Sequence, residues 1–195
     1  MHTADLRFKE IEHKYIVGDE FDLQGFRHTL TTLGPTRSHS IRVRDRYYLT
    51  EAGQDRRFVI RHRFDAELQH LTIKTVGTDT EVRDEVNVDL GQHAGDQASQ
   101  VEAFVERLGV GWSGTVHKDV DVWYFEDCEV VHYLASTGSR SVRCVEFEAT
   151  RGNSLADAIA IVETFERATG FSGLVRSRLS LPQILFPELS ARLAK

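Results

Sequence analysis

Cysteine is scarce in this chain: Cys128 and Cys144 are the only two among 195 residues, and they form no C-x-x-C pair. That scarcity excludes a disulfide framework and points to two strand thiols in a reduced, cytoplasmic protein. Long apolar runs are also missing. No stretch approaches the roughly 20 apolar residues that cross a bilayer. The opening Met1-His2-Thr3-Ala4-Asp5-Leu6-Arg7 has no apolar leader core, so no membrane partner is expected. Nor is there an excess of basic charge. The formal net charge is −6, which excludes broad attraction to nucleic acid but leaves room for a local basic pocket. Repeats, low-complexity tracts and linkers are absent too, and the length suits one domain over 1–195.

What the chain does have is charge, on 28% of its residues, and much of it sits in segments of strand period. Side chains alternate across a strand, so residues i, i+2 and i+4 share a face. Leu6 to Val17 reads as a first strand, with Glu10, Glu12 and Lys14 on one face and Ile11, Tyr15 and Val17 on the other. His39–Thr50, Arg57–Asp65 and His70–Val76 follow, then turn chemistry at Gly77-Thr78-Asp79 and a fifth strand at Glu81–Leu90. Thr115–Phe125, Glu129–Ala135 and Ser141–Thr150 complete the set. Helical period appears at Glu20–Leu33, ended by Gly34-Pro35, and at about Asp96–Leu108, ended by Gly109. A third helix is capped by Asn153-Ser154 and stopped at Gly170, and a helical tail, Leu174–Ala194, is interrupted near Pro182 and Pro187.

Several strands carry ions on one face and apolar groups on the other. Arg57, Arg61 and Arg63 oppose Phe58, Ile60 and Phe64; Arg83 and Glu85 oppose Val82, Val86 and Val88; Glu146 and Glu148 oppose Val145 and Phe147. An open sheet with its polar face in water would show this pattern. Eight strands can also close into a barrel, which removes exposed edges, and helices over the apolar outer face would leave the charges lining the lumen. The expected architecture is therefore α+β: an eight-stranded antiparallel β-barrel with flanking helices. Mixed charge inside such a lumen is costly unless paired or occupied.

Glu10-Ile11-Glu12-His13-Lys14 sets two carboxylates and an ammonium along one strand face, at spacings of roughly 6.5–7 Å. Chemically this reads as a hard-cation site beside a phosphate contact, because Mg²⁺ and Mn²⁺ prefer oxygen ligands and lysine binds phosphate as a point charge.

Together with later segments, this motif resembles the CYTH, or triphosphate tunnel, family, which includes class IV adenylyl cyclases and thiamine triphosphatases. The order matches along nearly the whole chain: Glu10-x-Glu12-x-Lys14, then Asp45-Arg46-Tyr47-Tyr48, Arg61-His62-Arg63, Leu71-Thr72-Ile73-Lys74, Arg83-Asp84-Glu85 and Glu146-Phe147-Glu148. Ser180-Leu181 echoes a C-terminal helix start. The resemblance implies a tunnel whose acids hold Mg²⁺ or Mn²⁺ and whose basic residues grip a triphosphate. Carried over by position, Glu10, Glu12, Glu146 and Glu148 are metal ligands; Lys14, Arg61, Arg63, Lys74 and Arg83 bind substrate; Lys14 and Glu85 are the catalytic candidates. Glu85 would orient Arg83 or position the attacking water.

Departures are concentrated late in the chain. Leu49 stands where the family usually has an acid, and with Val116, Val120 and Val122 placed on the outer face, His117, Asp119 and Asp121 fall on the inner one, where a basic pair is expected. His132 replaces a metal-binding aspartate and reads as structural. The implied activity is hydrolysis of a small triphosphate-containing substrate, with inorganic tripolyphosphate favoured over ATP or thiamine triphosphate because the contacts are nearly all ionic. Tyr47, Tyr48, Trp112 and Trp123 show no spacing of an aromatic clamp. The alternatives are a class IV-type cyclase and a non-catalytic module that binds a nucleotide or other phosphorylated ligand. A homodimer is left open.

Overall fold

Strand alternation here closes on itself. β1 (Lys9–Ile16), β2 (Arg37–Thr50), β3 (Phe58–Phe64), β4 (Gln69–Thr75), β5 (Val82–Asp89), β6 (Val110–Tyr124), β7 (Cys128–Ser136) and β8 (Ser141–Ala149) form a closed barrel in the order β1-β5-β4-β3-β2-β6-β7-β8. Every neighbouring pair is antiparallel. The computed structural model describes residues 8–77 and 81–194. Leu6 and Arg7 of the expected first strand, and Thr78 and Asp79 of the expected turn, lie outside the described residues.

Six helices flank the barrel among the described residues: α1 (Leu23–Thr32), α2 (Glu51–Arg56), α3 (Ala98–Glu106), α4 (Leu155–Thr169), α5 (Leu181–Leu185) and α6 (Pro187–Leu193). None of them is long and apolar enough to cross a membrane. The punctuation of α4 matches its sequence signals: the Ser154 side chain accepts from the Asp157 amide, and Gly170 ends the helix at φ 82. The short α2 has no counterpart in the strand reading. It is capped by Thr50 and ends at Arg57, which takes a left-handed φ of 56. Arg57 is exposed, so it leaves the strand face it shares in sequence with Arg61 and Arg63.

α4 lies over β1, β7 and β8, where Val162 joins Tyr15, Val145, Phe147 and Phe171 in one apolar cluster. Within that cover Glu166 is almost fully buried and serves three donors or partners at once. His13 Nδ1 lies 2.7 Å from its Oε1, Tyr15 OH donates to the same oxygen at 2.6 Å, and Arg176 donates to Oε2 at 2.9 Å. The outward face of β1 is thereby fastened to α4 and to the segment leading into α5. α5 and α6 close one end of the barrel, burying Leu181, Leu185 and Leu189 against Val59, Val76, Val116 and Ala135. A Cβ on Gly114 would meet the Phe186 ring at 2.7 Å, so only glycine lets this plug seat fully. The outer face of β4 and β5 is not covered in the same way: Ile73, Val86 and Val88 are exposed.

β6 differs from expectation in two respects. It begins at Val110, before Thr115, pairing with the end of β2 through an irregularity at Leu49/Thr50; Gly111, Ser113 and Gly114 supply no strand pattern there. Its faces are also reversed. Lys118, Val120 and Val122 point into the lumen, whereas Asp119 and Asp121 point outward. The outer face of β6 meets water and α1. Asp121 accepts from Arg27 of α1 at 2.7 Å and from Ser40 at 2.5 Å, and Asp119 pairs with Arg42 at 3.2 Å. His117 is exposed, and His132 packs outside the barrel beside Asp121 and Phe21. The valines read as an outer face are lumen residues.

Because Leu189 is fully buried in the plug, Leu189→Ala should lower unfolding free energy by about 2–5 kcal/mol in urea titration. Exposed Ile73→Ala should change it by less than about 1 kcal/mol. Equal losses would contradict the placement of α6 as the barrel's floor.

Candidate functional site

The β1 register sets the site. Glu12 lies opposite Glu148 and Lys14 opposite Glu146 on β8, while Glu10 lies opposite Arg83 on β5. One carboxylate oxygen from each of Glu10, Glu12 and Glu148 falls within 4.8 Å of the others. Glu146 stands apart from this group: Lys14 Nζ lies 3.0 Å from its Oε1, and Tyr133 OH donates to the same oxygen at 2.6 Å. Burial pushes the Glu148 carboxyl well above the usual carboxylate range, and Glu10, Glu129 and Glu12 push it the same way. At Glu12 burial also raises the pKa, but Arg83, Lys14 and Lys74 outweigh it and hold the carboxyl well below that range. The three oxygen donors fit a hard divalent ion such as Mg²⁺ or Mn²⁺.

The expected basic residues all reach the same lumen. Arg83 Nε donates to Glu10 at 2.8 Å and its NH2 lies 2.8 Å from Glu12; Lys74 Nζ lies 2.6 Å from Glu10 and 2.9 Å from Glu85. Arg61 NH2 lies 3.1 Å from Glu85, and Lys14 lies 3.0 Å from Glu12. Glu85 therefore engages Arg61 and Lys74, in place of the Arg83 partnership expected from their spacing. Arg63 makes two hydrogen bonds to Asp45, at 2.8 and 3.0 Å, and Lys118 lies 2.7 Å from the same carboxylate. Burial and then Arg63 pull the Lys118 pKa from its ordinary 10.5 to about 8.

Three lumen groups escape the motif reading. Asp45 lies within a quoted motif, and its role is visible only through its partners Arg63 and Lys118. Lys118 aligns with the expected basic pair but shares parity with the valines, and since those valines face the lumen, so does Lys118. Glu129 sits opposite Glu148 in the β7–β8 ladder, and alternation with Val131 and Tyr133 could have identified it. Its side chain makes no hydrogen bond or ion pair among the described residues, and burial raises its pKa. Of the aromatic candidates, Trp112 packs on Phe186 and Trp123 on Phe26; Tyr48 joins the cluster beneath α3, and Tyr47 lies near Asp45. The lumen is not ionic throughout: Ile41, Val120 and Val131 line the same cavity of about 250 Å³ as the carboxylates.

A sequence profile for the CYTH domain matches residues 9–171. Among solved structures, the chain is similar to a conserved hypothetical protein from Pyrococcus furiosus, at 21% identity and a TM-score of 0.69 over 90% of this chain and 99% of that one. It is also similar to a Bacillus halodurans protein described as a candidate adenylate cyclase, at 18% identity and a TM-score of 0.61 over 91% of this chain and 98% of that one. A Hippeastrum protein described as a candidate adenylyl cyclase with dominant triphosphatase activity aligns at 16% identity and a TM-score of 0.51, over 86% of this chain and 92% of that one. At these identities the likeness carries the fold alone. None of the curated proteins compared with the chain matches it.

Glu148→Gln removes a carboxyl that burial already disfavours in its charged form. In EDTA the variant should melt at the same or a higher temperature than the parent, while calorimetry should show Mn²⁺ affinity reduced at least tenfold. A collapsed melting temperature with intact Mn²⁺ affinity would make Glu148 a structural residue. Lys118 has a folded pKa below its unfolded value, so the unfolded chain binds more protons between about pH 8 and 10.5 and Lys118 adds stability as pH rises through that window. Comparing urea unfolding at the two ends of the window, the parent should gain more stability, or lose less, than Lys118→Met. Identical pH dependence would show Lys118 to be unperturbed.

Proposed function

The chain belongs to the CYTH family, and from that premise we propose that it is a divalent-metal-dependent phosphoanhydride hydrolase that draws a triphosphate-type chain into the barrel lumen. The observation that carries this reading is the convergence of Glu10, Glu12 and Glu148 within 4.8 Å, beside the cations Arg83, Lys74 and Lys14. Those three carboxylates would hold Mg²⁺ or Mn²⁺, which when bound supplies charge neutralisation and Lewis-acid polarisation of a phosphoryl oxygen.

Phosphoryl transfer needs chiefly positioning and electrostatic stabilisation, and the chain's own residues divide those tasks. Arg61, Arg63, Lys74 and Arg83 exchange carboxylate partners for non-bridging phosphate oxygens. Lys14 remains a fixed cation: burial lowers its pKa, but Glu12 and Glu146 outweigh this and raise it above the ordinary lysine value. Glu85 is a poor base, because Lys74 and Arg61 overcome its burial and hold its carboxyl far below the usual range. Its part is to position those two cations. Glu129, raised by burial and free of partners among the described residues, is the group best suited to take a proton from attacking water.

Tripolyphosphate with Mg²⁺ or Mn²⁺ should release phosphate, and excess EDTA should abolish the release; equal rates with and without EDTA would refute the proposal. Arg61→Ala should raise KM by about 10–100-fold, the worth of one charge-assisted contact. Glu129→Gln should lower kcat with a smaller effect on KM. With ATP as substrate, phosphate rather than cyclic AMP is the expected product.

A further inference from the structure

Across the lumen from β1 and β5, part of the wall on β2, β6 and β7 is aliphatic, flanked by Lys118 on β6 and Glu129 on β7. Ile41 and Val43 on β2, Val120 and Val122 on β6, and Val131 on β7 face the cavity, with Ile41 paired to Val120 and Val122 to Val131 in the ladders. Strand pairing commits the backbone donors and acceptors of these residues, so this stretch presents hydrocarbon and no group that could read the edge of a base. At the rim, Tyr124 is already stacked with His39, ring centroids 5.6 Å apart, and the Arg37 guanidinium lies 5.7 Å from the Tyr124 centroid. That ring is engaged and is not a free platform for a flat ligand.

The charged side of the lumen points the same way. Every lysine and arginine lining the cavity already has a carboxylate partner there, from Lys14 with Glu146 to Lys118 with Asp45. A long inorganic polyanion must displace many of these pairs and gains nothing from the valines. A shorter phosphate chain displaces fewer, and a hydrocarbon group attached to it would bury apolar surface against that wall.

We propose that the ligand is a short phosphoanhydride ester of a small branched aliphatic alcohol, its phosphates on the β1–β5–β4–β3 side and its hydrocarbon on the β2–β6–β7 wall. This rests on the phosphoanhydride reading of the lumen and names the substrate class for it. The sequence favours inorganic tripolyphosphate because its candidate contacts are nearly all ionic; the aliphatic wall adds a second, apolar kind of contact beside them.

Calorimetric titration of the full chain in Mg²⁺ with isopentenyl diphosphate, inorganic diphosphate and tripolyphosphate tests the assignment. Isopentenyl diphosphate should bind at least tenfold more tightly than inorganic diphosphate. Val122→Thr with Val131→Thr, which keeps side-chain shape while adding hydroxyls, should reduce that ratio at least threefold; if the pair does not fold, Val131→Thr alone carries the comparison. An unchanged ratio in the variant, or equal affinities in the parent, overturns the aliphatic assignment. Tripolyphosphate binding accompanied by no preference for isopentenyl diphosphate would sink this inference and leave the phosphoanhydride reading standing. If none of the three binds in Mg²⁺, that reading falls and takes the inference with it.

Discussion

Ionised side chains withdrawn from water must find partners, because an uncompensated buried charge costs several kcal/mol, and that requirement organises this barrel. Asp45 is fully buried only because Arg63 and Lys118 both reach it. Glu10 and Glu12 share Arg83, and Lys74 joins Glu10 to Glu85. Some pairs join ladder partners, Glu10 with Arg83, Lys74 with Glu85 and Asp45 with Arg63, and others reach across the lumen past a strand, Lys74 to Glu10 and Arg61 to Glu85. The exceptions are informative. Glu129 and Glu148 face the same lumen, lie opposite each other, and are both shifted toward the protonated form by burial. The interior is therefore short of positive charge at one place, beside the three converging carboxylates, and there a divalent ion would complete the balance.

The scaffold around this lumen is asymmetric. One end is filled by α5 and α6, whose leucines replace water with a packed floor. β1, which carries two of the three clustered acids, is held from outside by the Glu166 network and by the Ser177 amide, which donates to the Lys14 carbonyl at 2.7 Å. Such anchoring keeps Glu12 and Lys14 directed inward, and it ties the C-terminal segment to the strand bearing the site. Precision of that kind is what positional catalysis requires.

Strand period makes much of this legible in the sequence. All eight strands follow from alternation, which also groups Glu10 with Glu12 and Lys14, Arg61 with Arg63, Arg83 with Glu85, and Glu146 with Glu148 on single faces. That these faces and Lys74 point inward is what the family resemblance adds. β6 defeated the same rule for a physical reason: both of its faces have a partner. Valines suit a lumen wall as well as a helix-covered surface, and aspartates suit water and Arg27 as well as a charged interior. Parity groups residues without saying which group points in. Arg57 escaped because the six-residue helix α2, ending in a left-handed residue, intervenes before β3. Glu146 shares its strand face with Glu148, yet side-chain reach gives it to Lys14 and Tyr133, a choice that spacing cannot express.

The central claim is that Glu10, Glu12 and Glu148 form a divalent-cation site inside the barrel. Anomalous diffraction at the manganese edge from crystals grown with Mn²⁺ tests it most directly. The account predicts a peak within about 2.0–2.6 Å of oxygens from all three carboxylates. Manganese found only on exposed acids such as Asp84 or Asp119, with the lumen carboxylates still bonded to Arg83 and Lys74, would contradict it.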